Sequence, residues 1–356
     1  MVLLNVVYVF IVSFFFGLLI TLEGSRVVVN SQHTNNWAVL VCTSRNWFNY
    51  RHIANTLAVY NTVKRLGIPD SNIILMLSDE MACHPCNPFP AQVFHSKKRL
   101  KNVYGEDIEV DYRGDEVTVP NFLNLLTGKS PRELPISQKL LSDENSNILI
   151  YISGHGGNNF LKFHDNEDLT SEDLAHSLEQ MRQQKRYNEI LILLDTCEAM
   201  TLFRNIYSPQ VLVAGSSHHS ESAWSHHRDK DIGVEVIDRF TYYLIKTLDR
   251  HDADSTLTLE ELFQVFHKDK LLSRFGVDSS LFYRKLKEVP VMDFFAKKTA
   301  VKPFDQIITS TFTNFPVSSV KIMNKSKNTL KFLESNYNAK EDKFIPRKTI
   351  TQEFAC

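Results

Sequence analysis

Five short apolar runs recur along the chain, and polar turns separate them. Each run is rich in Ile, Leu and Val and lacks the strict apolar-polar alternation that one solvent-exposed face would impose. Runs of this length are typical of strands buried on both faces of a sheet. The predicted strands are Trp37–Cys42, Asn72–Leu77, Asn147–Ser153, Glu189–Asp195 and Gln210–Gly215.

Helical periodicity appears between these strands. Arg51–Arg65 places its apolar residues at helical spacing, and Gly67 is predicted to end the helix. A second helix is predicted from Ser171 to Gln184, because Thr170 and Asp173 form a capping box at its start. The order strand, helix, strand predicts an α/β fold with a parallel sheet.

Three further elements are predicted with weaker patterns. Asp107–Val119 alternates polar and apolar residues around a glycine, which indicates a hairpin. Val234–Leu248 is apolar enough for one helix. Thr258–Glu261 is a capping box that opens a helix predicted to run to His267.

The two ends of the chain differ in composition from the middle. Residues 2–20 are almost wholly apolar and uncharged, so residues 1–25 are predicted to be a leader that resembles a signal peptide. The run is also long enough to span a bilayer uncleaved, and either outcome predicts entry into the secretory pathway. Residues 296–356 are predicted to form a polar, basic, loosely ordered tail, so residues 33–295 would hold the organised domain.

Charge and cysteine usage narrow the range of partners. The formal net charge is −1, which gives no global attraction to nucleic acid. The 5 cysteines are too few and too scattered for a disulfide framework. Cys83 and Cys86 have the spacing of a zinc or redox pair, but the sequence offers no second pair to complete a zinc site.

Two of the predicted strands end in residues that carry chemistry. Asn147–Ser153 runs into Gly154 and His155, and Glu189–Asp195 runs into Thr196 and Cys197. Ligands in open α/β sheets bind beyond the carboxyl ends of the strands. A neighbouring imidazole accepts the proton of a thiol and so makes it a nucleophile. The spacing therefore predicts a cysteine nucleophile with a histidine base.

The chain resembles a known family at these positions and at several others. Ser153–Gly157 and Asp195–Cys197 are similar to the caspase-like cysteine peptidases of the legumain clan. Further motifs resemble the branch formed by the catalytic subunits of glycosylphosphatidylinositol (GPI) transamidases. These motifs are Asn35–Val41, Trp47–His52, Val63–Asp70, Val110–Arg113, Phe160–Phe163 and Arg186–Glu189.

The resemblance implies a fold and a set of catalytic residues. The fold would be a caspase-like, three-layer α/β/α arrangement with a mostly parallel sheet of about six strands. Cys197 would be the nucleophile, His155 the general acid and base, and Asn49 the residue that assists the histidine. The backbone N–H groups of Gly156 and Cys197 would form the oxyanion hole.

The resemblance also places Arg51, Asp195 and Ser216 in the substrate pocket. The residues themselves allow a plainer interpretation for two of them. Arg51 stands where a helix begins, and Asp195 is placed to hydrogen-bond the adjacent turn.

The chemistry requires no cofactor, but a structural calcium ion is predicted. Asp70, Ile73, Glu109 and Asp111 resemble a calcium site of the family, and carboxylates with backbone carbonyls are suitable ligands for Ca²⁺. On a strand, Glu109 and Asp111 would point to the same face. A solvated hairpin face is the alternative interpretation.

The resemblance further implies a partner set and a location. Cys83 matches a position that forms a disulfide with another subunit, whereas Cys86 has no counterpart. The partners would be the other subunits of a membrane complex, precursor proteins with a C-terminal GPI signal, and the GPI lipid, with no nucleic acid. The chain would work at the lumenal face of the endoplasmic reticulum membrane.

The implied reaction joins a precursor protein to an amine through a thioester on Cys197. Two alternatives remain open from the sequence. A legumain-like asparaginyl endopeptidase would hydrolyse after Asn, and a non-catalytic caspase-like scaffold would not need the Cys–His pair. Nothing in the sequence alone shows that an amine is preferred to water.

Overall fold

The computed structural model describes residues 33–105 and 107–298, and these residues contain twelve strands and seven α-helices. In chain order the strands are β1 (Asn35–Cys42), β2 (Ile73–Leu77), β3 (Tyr112–Arg113), β4 (Ser146–Ser153), β5 (His155–Gly157), β6 (Phe160–Phe163), β7 (Glu167–Thr170), β8 (Glu189–Asp195), β9 (Val211–Gly215), β10 (Ser225–Arg228), β11 (Glu235–Asp238) and β12 (Gly276–Asp278). The helices are α1 (Tyr50–Arg65), α2 (Val119–Thr127), α3 (Ser171–Gln183), α4 (Arg239–Leu248), α5 (Leu259–Phe263), α6 (Lys268–Leu271) and α7 (Met292–Phe295).

Seven of the strands form one central sheet in the order β12, β9, β8, β4, β1, β2, β3. Six strands are parallel, and β12 is antiparallel to β9 at one edge. The register pairs Ser153 with both Cys42 and Asp195, so β1, β4 and β8 end at the same level. The predicted mostly parallel sheet is confirmed, with one strand more than expected.

Helices cover both faces of this sheet and complete a three-layer α/β/α arrangement. Along β1, Leu40 packs with α1 and α4 in one apolar cluster, whereas Val39 and Val41 pack with α2 and α3 in a second cluster. Every residue of β2, β4, β8 and β9 is buried. The strands lie between two cores, which explains why their sequences are apolar without alternation.

Capping boxes in the sequence mark where two helices begin. The Thr170 hydroxyl accepts a hydrogen bond from the N–H of Asp173, and the Asp173 carboxylate accepts one from the N–H of Thr170. Thr258 and Glu261 make the same reciprocal pair at the start of α5. Both predicted capping boxes are confirmed, although α5 ends at Phe263 rather than at His267.

Two of the weaker predictions are wrong. Asp107–Val119 is not a hairpin, because Asp111 pairs with Leu75 through its N–H and its carboxylate, and this draws β3 alongside β2 in parallel. Val234–Leu248 is not one helix. Its first part forms β11, which pairs antiparallel with β10, and the helix begins only at Arg239.

The predicted leader (residues 1–25) and nearly all of the predicted tail (residues 296–356) lie outside the described residues. Among the helices of residues 33–105 and 107–298, none has the length and apolar character needed to cross a membrane.

Candidate active site

His155 and Cys197 stand at the same edge of the central sheet. β4 and β8 are neighbouring parallel strands, and Ser153 at the end of β4 pairs with Asp195 at the end of β8. His155 and Cys197 each follow two residues later. The register therefore brings the predicted base and the predicted nucleophile to one level, at the carboxyl edge where ligands bind in such sheets.

Two glycines allow the histidine segment to lie against its neighbours. A Cβ atom on Gly154 would clash with the hydroxyl of Thr43. A Cβ atom on Gly156 would meet the Thr196 hydroxyl at 2.7 Å and the Cys197 carbonyl oxygen at 3.2 Å. The turn that carries Cys197 thus packs directly on the backbone of Gly156, and a side chain at that position would force the two segments apart.

Two buried serines hold the turn that carries Cys197. The Ser216 hydroxyl accepts a hydrogen bond from the N–H of Thr196 at 3.2 Å and donates to its carbonyl oxygen at 3.1 Å. The Ser217 hydroxyl donates to the same carbonyl oxygen at 2.8 Å and accepts from the N–H of Ala199 at 3.1 Å. Cys197 itself is half-buried. Ser217 was not predicted as a site residue, although it is the second residue after the apolar run of β9.

Asn49 fixes the orientation of the His155 ring. Its side-chain N–H group donates to the carbonyl oxygen of Arg45 at 2.7 Å, so its amide oxygen faces His155. That oxygen lies 2.8 Å from His155 Nε2 and accepts a hydrogen bond from it. Nε2 therefore carries the proton, and Nδ1 keeps its lone pair. The predicted contact between Asn49 and the histidine is present in the structure.

The surroundings of His155 favour its neutral form. Its ring lies edge-on to the buried His52, with ring centroids 5.0 Å apart. Partial burial is the largest cause that lowers the pKa of His155, and the positive charge of Arg51 is the second. Asp238 and Asp165 act in the opposite direction. A neutral imidazole at neutral pH is able to accept a proton.

Asp238 is the centre of a buried polar network beside the site, and sequence reasoning missed it. Its carboxylate lies 3.1 Å from Arg51 Nε and 3.6 Å from His52 Nε2, and it accepts a hydrogen bond from the Asn55 amide at 2.6 Å. The Asn55 amide also donates to the Ser153 hydroxyl at 3.0 Å. This network ties α1 to the end of β4, just before His155.

The three predicted pocket residues have different surroundings. Arg51 is the one that reaches solvent, with a side chain 20% exposed. Asp195 is 1% exposed and accepts a hydrogen bond from the Thr241 hydroxyl at 2.6 Å. Burial, and then the charge of Asp238, raise the pKa of Asp195 to about 7. Ser216 is also buried, so the substrate contacts of Asp195 and Ser216 stay predictions.

The predicted calcium ligands share one corner of the sheet. Asp70 precedes β2, Ile73 is its first residue, and Glu109 and Asp111 precede β3. Residues 109–111 form no strand, so the shared strand face that we predicted for Glu109 and Asp111 is wrong.

The charges in this corner affect one another. Burial raises the pKa of Asp111 to about 7, and Glu109 and Asp70 add to that effect. Lys64 partly neutralises the corner, since its ammonium lies 3.0 Å from Asp70. Across the described residues, no three His, Cys, Asp or Glu side chains gather closely enough to hold a metal ion. The calcium site stays a prediction that would need backbone ligands.

Cys83 and Cys86 lie on an exposed loop next to the segment that carries Asn49. His84, between the two cysteines, stacks on Trp47 with ring centroids 5.0 Å apart. Trp47 in turn donates to the Ile232 carbonyl oxygen at 3.1 Å. The exposure of Cys83 is compatible with a bond to another subunit, and that bond stays a prediction.

These features define an α/β/α enzyme of the cysteine peptidase type. The chain belongs to the Peptidase C13 family, whose model matches residues 36–327.

Three relatives carry the same name. A protein of Saccharomyces cerevisiae named GPI-anchor transamidase is 55% identical over 277 residues, which are 78% of this chain and 67% of that protein. The human GPI-anchor transamidase is 53% identical over 272 residues, which are 76% of this chain and 69% of that protein. The Schizosaccharomyces pombe protein of that name is 52% identical over 270 residues, which are 76% of this chain and 71% of that protein. The crystal structure of caspase-1 from Spodoptera frugiperda aligns with 76% of this chain and 94% of its own, at 12% identity and a TM-score of 0.43. A likeness this distant does not bear on mechanism.

Proposed function

We propose that this chain is the catalytic subunit of a GPI-anchor transamidase. It would cut the C-terminal signal from a precursor protein and join the new carboxyl end to the ethanolamine amine of a GPI lipid. One observation carries the proposal: the register of β4 and β8 brings His155 and Cys197 to one edge, in a chain that is more than half identical to proteins of that name over 76% to 78% of its length.

Cys197 and His155 would act as a catalytic dyad. His155 Nδ1 keeps its lone pair because Nε2 donates to Asn49, so Nδ1 is the nitrogen that would take the thiol proton. The thiolate then attacks the carbonyl carbon of the ω residue, the last residue retained by the precursor protein. The C–N bond breaks, and His155 gives its proton to the leaving amine of the signal peptide. The product of this half-reaction is a thioester on Cys197.

The oxyanion of each tetrahedral intermediate would be held by the backbone N–H groups of Gly156 and Cys197. Among the described residues, the N–H of Cys197 donates to no protein acceptor, so it is available to an oxyanion. The serine contacts to Thr196 fix the direction of this turn before any substrate arrives. Donors that are already in place need no reorganisation during the reaction.

The second half-reaction returns the enzyme to its starting state. The ethanolamine amine attacks the thioester carbonyl carbon and loses one proton to His155. The C–S bond breaks, an amide forms, and the thiolate of Cys197 regains that proton. Water in place of the amine would give hydrolysis. Partial burial, and then the charge of Arg51, favour the neutral form of His155, which is the form required to accept the proton.

The name shared by the relatives supports a place in a membrane complex of the endoplasmic reticulum. We propose that the site faces the lumen, which agrees with the leader predicted for residues 1–25. We propose that Cys83 forms a disulfide with another subunit there, because its loop is exposed and lies beside the Asn49 segment. Such a bond would connect the partner subunit to the support of His155 through Trp47 and His84.

The proposal is tested by product analysis in membranes that contain the complex. A precursor with a GPI signal is incubated with hydrazine, and mass spectrometry identifies the new C-terminus. The intact enzyme should give the hydrazide, whereas Cys197→Ala and His155→Ala should give none. Cys86→Ser, on an exposed loop, is the matched control and should retain product. Hydrolysis after Asn without hydrazide would indicate an endopeptidase and contradict the proposal.

A further inference from the structure

A polar cleft of about 680 Å³ opens over the carboxyl ends of β1, β2 and β3. Its charged and polar lining includes Arg45, Asn46, Asp79, Glu80, Arg113 and Asp115. The sheet order runs from β8 through β4 to β1, β2 and β3. The cleft therefore lies on the far side of His155 from Cys197, and we call it the β3-side cleft.

The wall of the β3-side cleft and the support of His155 belong to the same loop. The carbonyl oxygen of Arg45 accepts the hydrogen bond that orients Asn49, and Asn49 holds His155. The guanidinium of Arg45 also lies 3.6 Å from Asp165, a carboxylate whose charge acts on His155. A group bound in the cleft would thus contact the loop that positions the catalytic base.

The shape of the cleft is fixed by a strained residue. Asn46 has φ 77° and ψ 148°, a region that residues other than glycine rarely occupy. Its N–H donates to the Asp79 carboxylate at 2.7 Å, and this contact holds the strained backbone in place. Strain of this kind persists where the surrounding structure enforces it, and it is concentrated at functional sites.

The cleft carries both signs of charge, and its ion pairs are loose. Arg45 lies 3.7 Å from Asp115, and Arg113 lies 3.7 Å from Glu80. The side chains of Arg45 and Arg113 are 40% and 57% exposed, and that of Asp115 is 99% exposed. Pairs this long and this exposed contribute little to stability, so their guanidinium N–H groups are available to a ligand.

The proposed reaction places two amines on this side of the site. His155 protonates the leaving amine and later deprotonates the attacking amine, so both nitrogens must approach from the His155 side. β3 is only two residues long and offers little edge for a peptide to add as a strand. The cleft instead offers charged side chains, which suit a compact zwitterion better than a peptide backbone.

We propose that the β3-side cleft binds the phosphoethanolamine head of the acceptor lipid, an inference that rests on the function proposed above. Arg45 and Arg113 would contact the phosphate, because guanidinium groups pair with phosphate oxygens in two-pronged geometry. Asp79, Glu80 and Asp115 would bind the ammonium group within the cleft. Holding the amine-bearing head against the loop that positions the base would raise the effective concentration of the amine over that of water, and this favours transfer over hydrolysis.

The test compares two nucleophiles in membranes that contain the full complex. One precursor is supplied either with GPI lipid or with hydrazine, which is too small to use the cleft, and the ratio of GPI-linked product to hydrazide is measured. Arg113→Gln should lower this ratio about tenfold, the change expected for one lost charge-assisted hydrogen bond. Arg182→Gln is the matched control, because Arg182 makes an exposed ion pair with Glu179 on α3, beyond the opposite end of β8. Its ratio should equal that of the unchanged chain.

Arg45→Gln provides a second variant and should lower the same ratio, since only its backbone carbonyl supports Asn49. An unchanged ratio in both cleft variants would overturn the inference. A parallel fall of both products would also overturn it, because it would show that the cleft holds the leaving peptide. Failure of the proposed function looks different: the unchanged chain would then release only hydrolysed product with either nucleophile.

Discussion

Cys197 and His155 stand at the same edge of the sheet, but the structure holds them in different ways. The turn that carries Cys197 is braced from buried positions by Ser216 and Ser217, which make three hydrogen bonds to the backbone of Thr196 and one to that of Ala199. His155 is more exposed and is oriented by one hydrogen bond, which its Nε2 donates to the amide oxygen of Asn49. In the proposed mechanism the nucleophile would keep one position, whereas the base would serve a leaving amine and then an arriving one. The comparison teaches that, in the proposed mechanism, the rigid side would carry the nucleophile and one oxyanion donor, the N–H of Cys197, whereas the lightly held side would carry the proton transfers.

The close packing between the two sides gives the largest expected effect. Gly156→Ala would place a Cβ atom 2.7 Å from the Thr196 hydroxyl and would push the histidine segment away from the Cys197 turn. Misplacement of catalytic groups by about 1 Å costs about 100-fold in rate, and we expect at least that loss of hydrazide formation. Gly105→Ala is the control, because a Cβ atom there would meet nothing within 4 Å. Activity of Gly156→Ala near that of the control would contradict the contact.

The brace on the rigid side should be visible as stability. Ser217→Ala leaves the N–H of Ala199 without its partner in a buried turn, so we expect the free energy of unfolding to fall by about 2 kcal/mol. Denaturant unfolding measures this loss. Ser220→Ala, in the exposed part of the same loop, is the control and should change stability by less than about 0.5 kcal/mol. If Ser217→Ala and Ser220→Ala were equally stable, the hydrogen bonds of Ser217 would not make the Cys197 side more rigid than the His155 side.

The lightly held side should respond in rate rather than in stability. Asn49→Ala removes the acceptor that fixes His155 Nε2 and frees the ring to turn. We expect hydrazide formation to fall about tenfold, the equivalent of one hydrogen bond of about 1.4 kcal/mol, with little change in melting temperature. Asn121→Ala is a suitable control, since Asn121 makes a comparable exposed hydrogen bond to the Glu116 carbonyl oxygen. If Asn49→Ala lowered the melting temperature strongly but left the rate unchanged, Asn49 would stabilise the fold rather than orient His155.

What the sequence was able to predict depended on whether a residue's role shows in the residues next to it along the chain. The core strands were found because each is buried on both faces. His155 and Cys197 were found because each stands two residues after the end of one of those strands. Asp238 was missed because its partners Arg51, His52 and Asn55 lie more than 180 residues away along the chain. No local pattern records such contacts.

The wrong hairpin has the same origin. The alternation in Asp107–Val119 is real, but the partner of this segment is Leu75 on a strand earlier in the chain rather than the segment itself. Periodicity reports which residues face a core, and it does not report which strand lies alongside. The sequence was therefore enough to pick out Cys197 and His155 as candidate catalytic residues. The side chains that support them, such as Ser217 and Asp238, could be identified only once the fold was known.

The smallest expected effect concerns the protonation of His155. Arg51 lowers the pKa of His155 and Asp238 raises it, so Arg51→Gln should raise that pKa. The rate depends on the neutral base, which is lost as pH falls through the pKa. The acid limb of the rate profile should consequently move to higher pH, with the rates converging again in alkaline solution. Hydrazide formation between pH 5 and pH 8.5 measures the shift, with hydrazine in excess at each pH.

Arg65→Gln is the control for this experiment. Arg65 lies at the other end of α1, where its nearest carboxylates are Asp249 and Asp252, and its removal should leave the acid limb in place. A uniform loss of rate at every pH in Arg51→Gln would instead show that Arg51 contacts substrate, as its exposed side chain allows. The shape of the profile thus separates the two roles: a shifted limb means that Arg51 tunes the lightly held base, and a lowered plateau means that it lines the pocket.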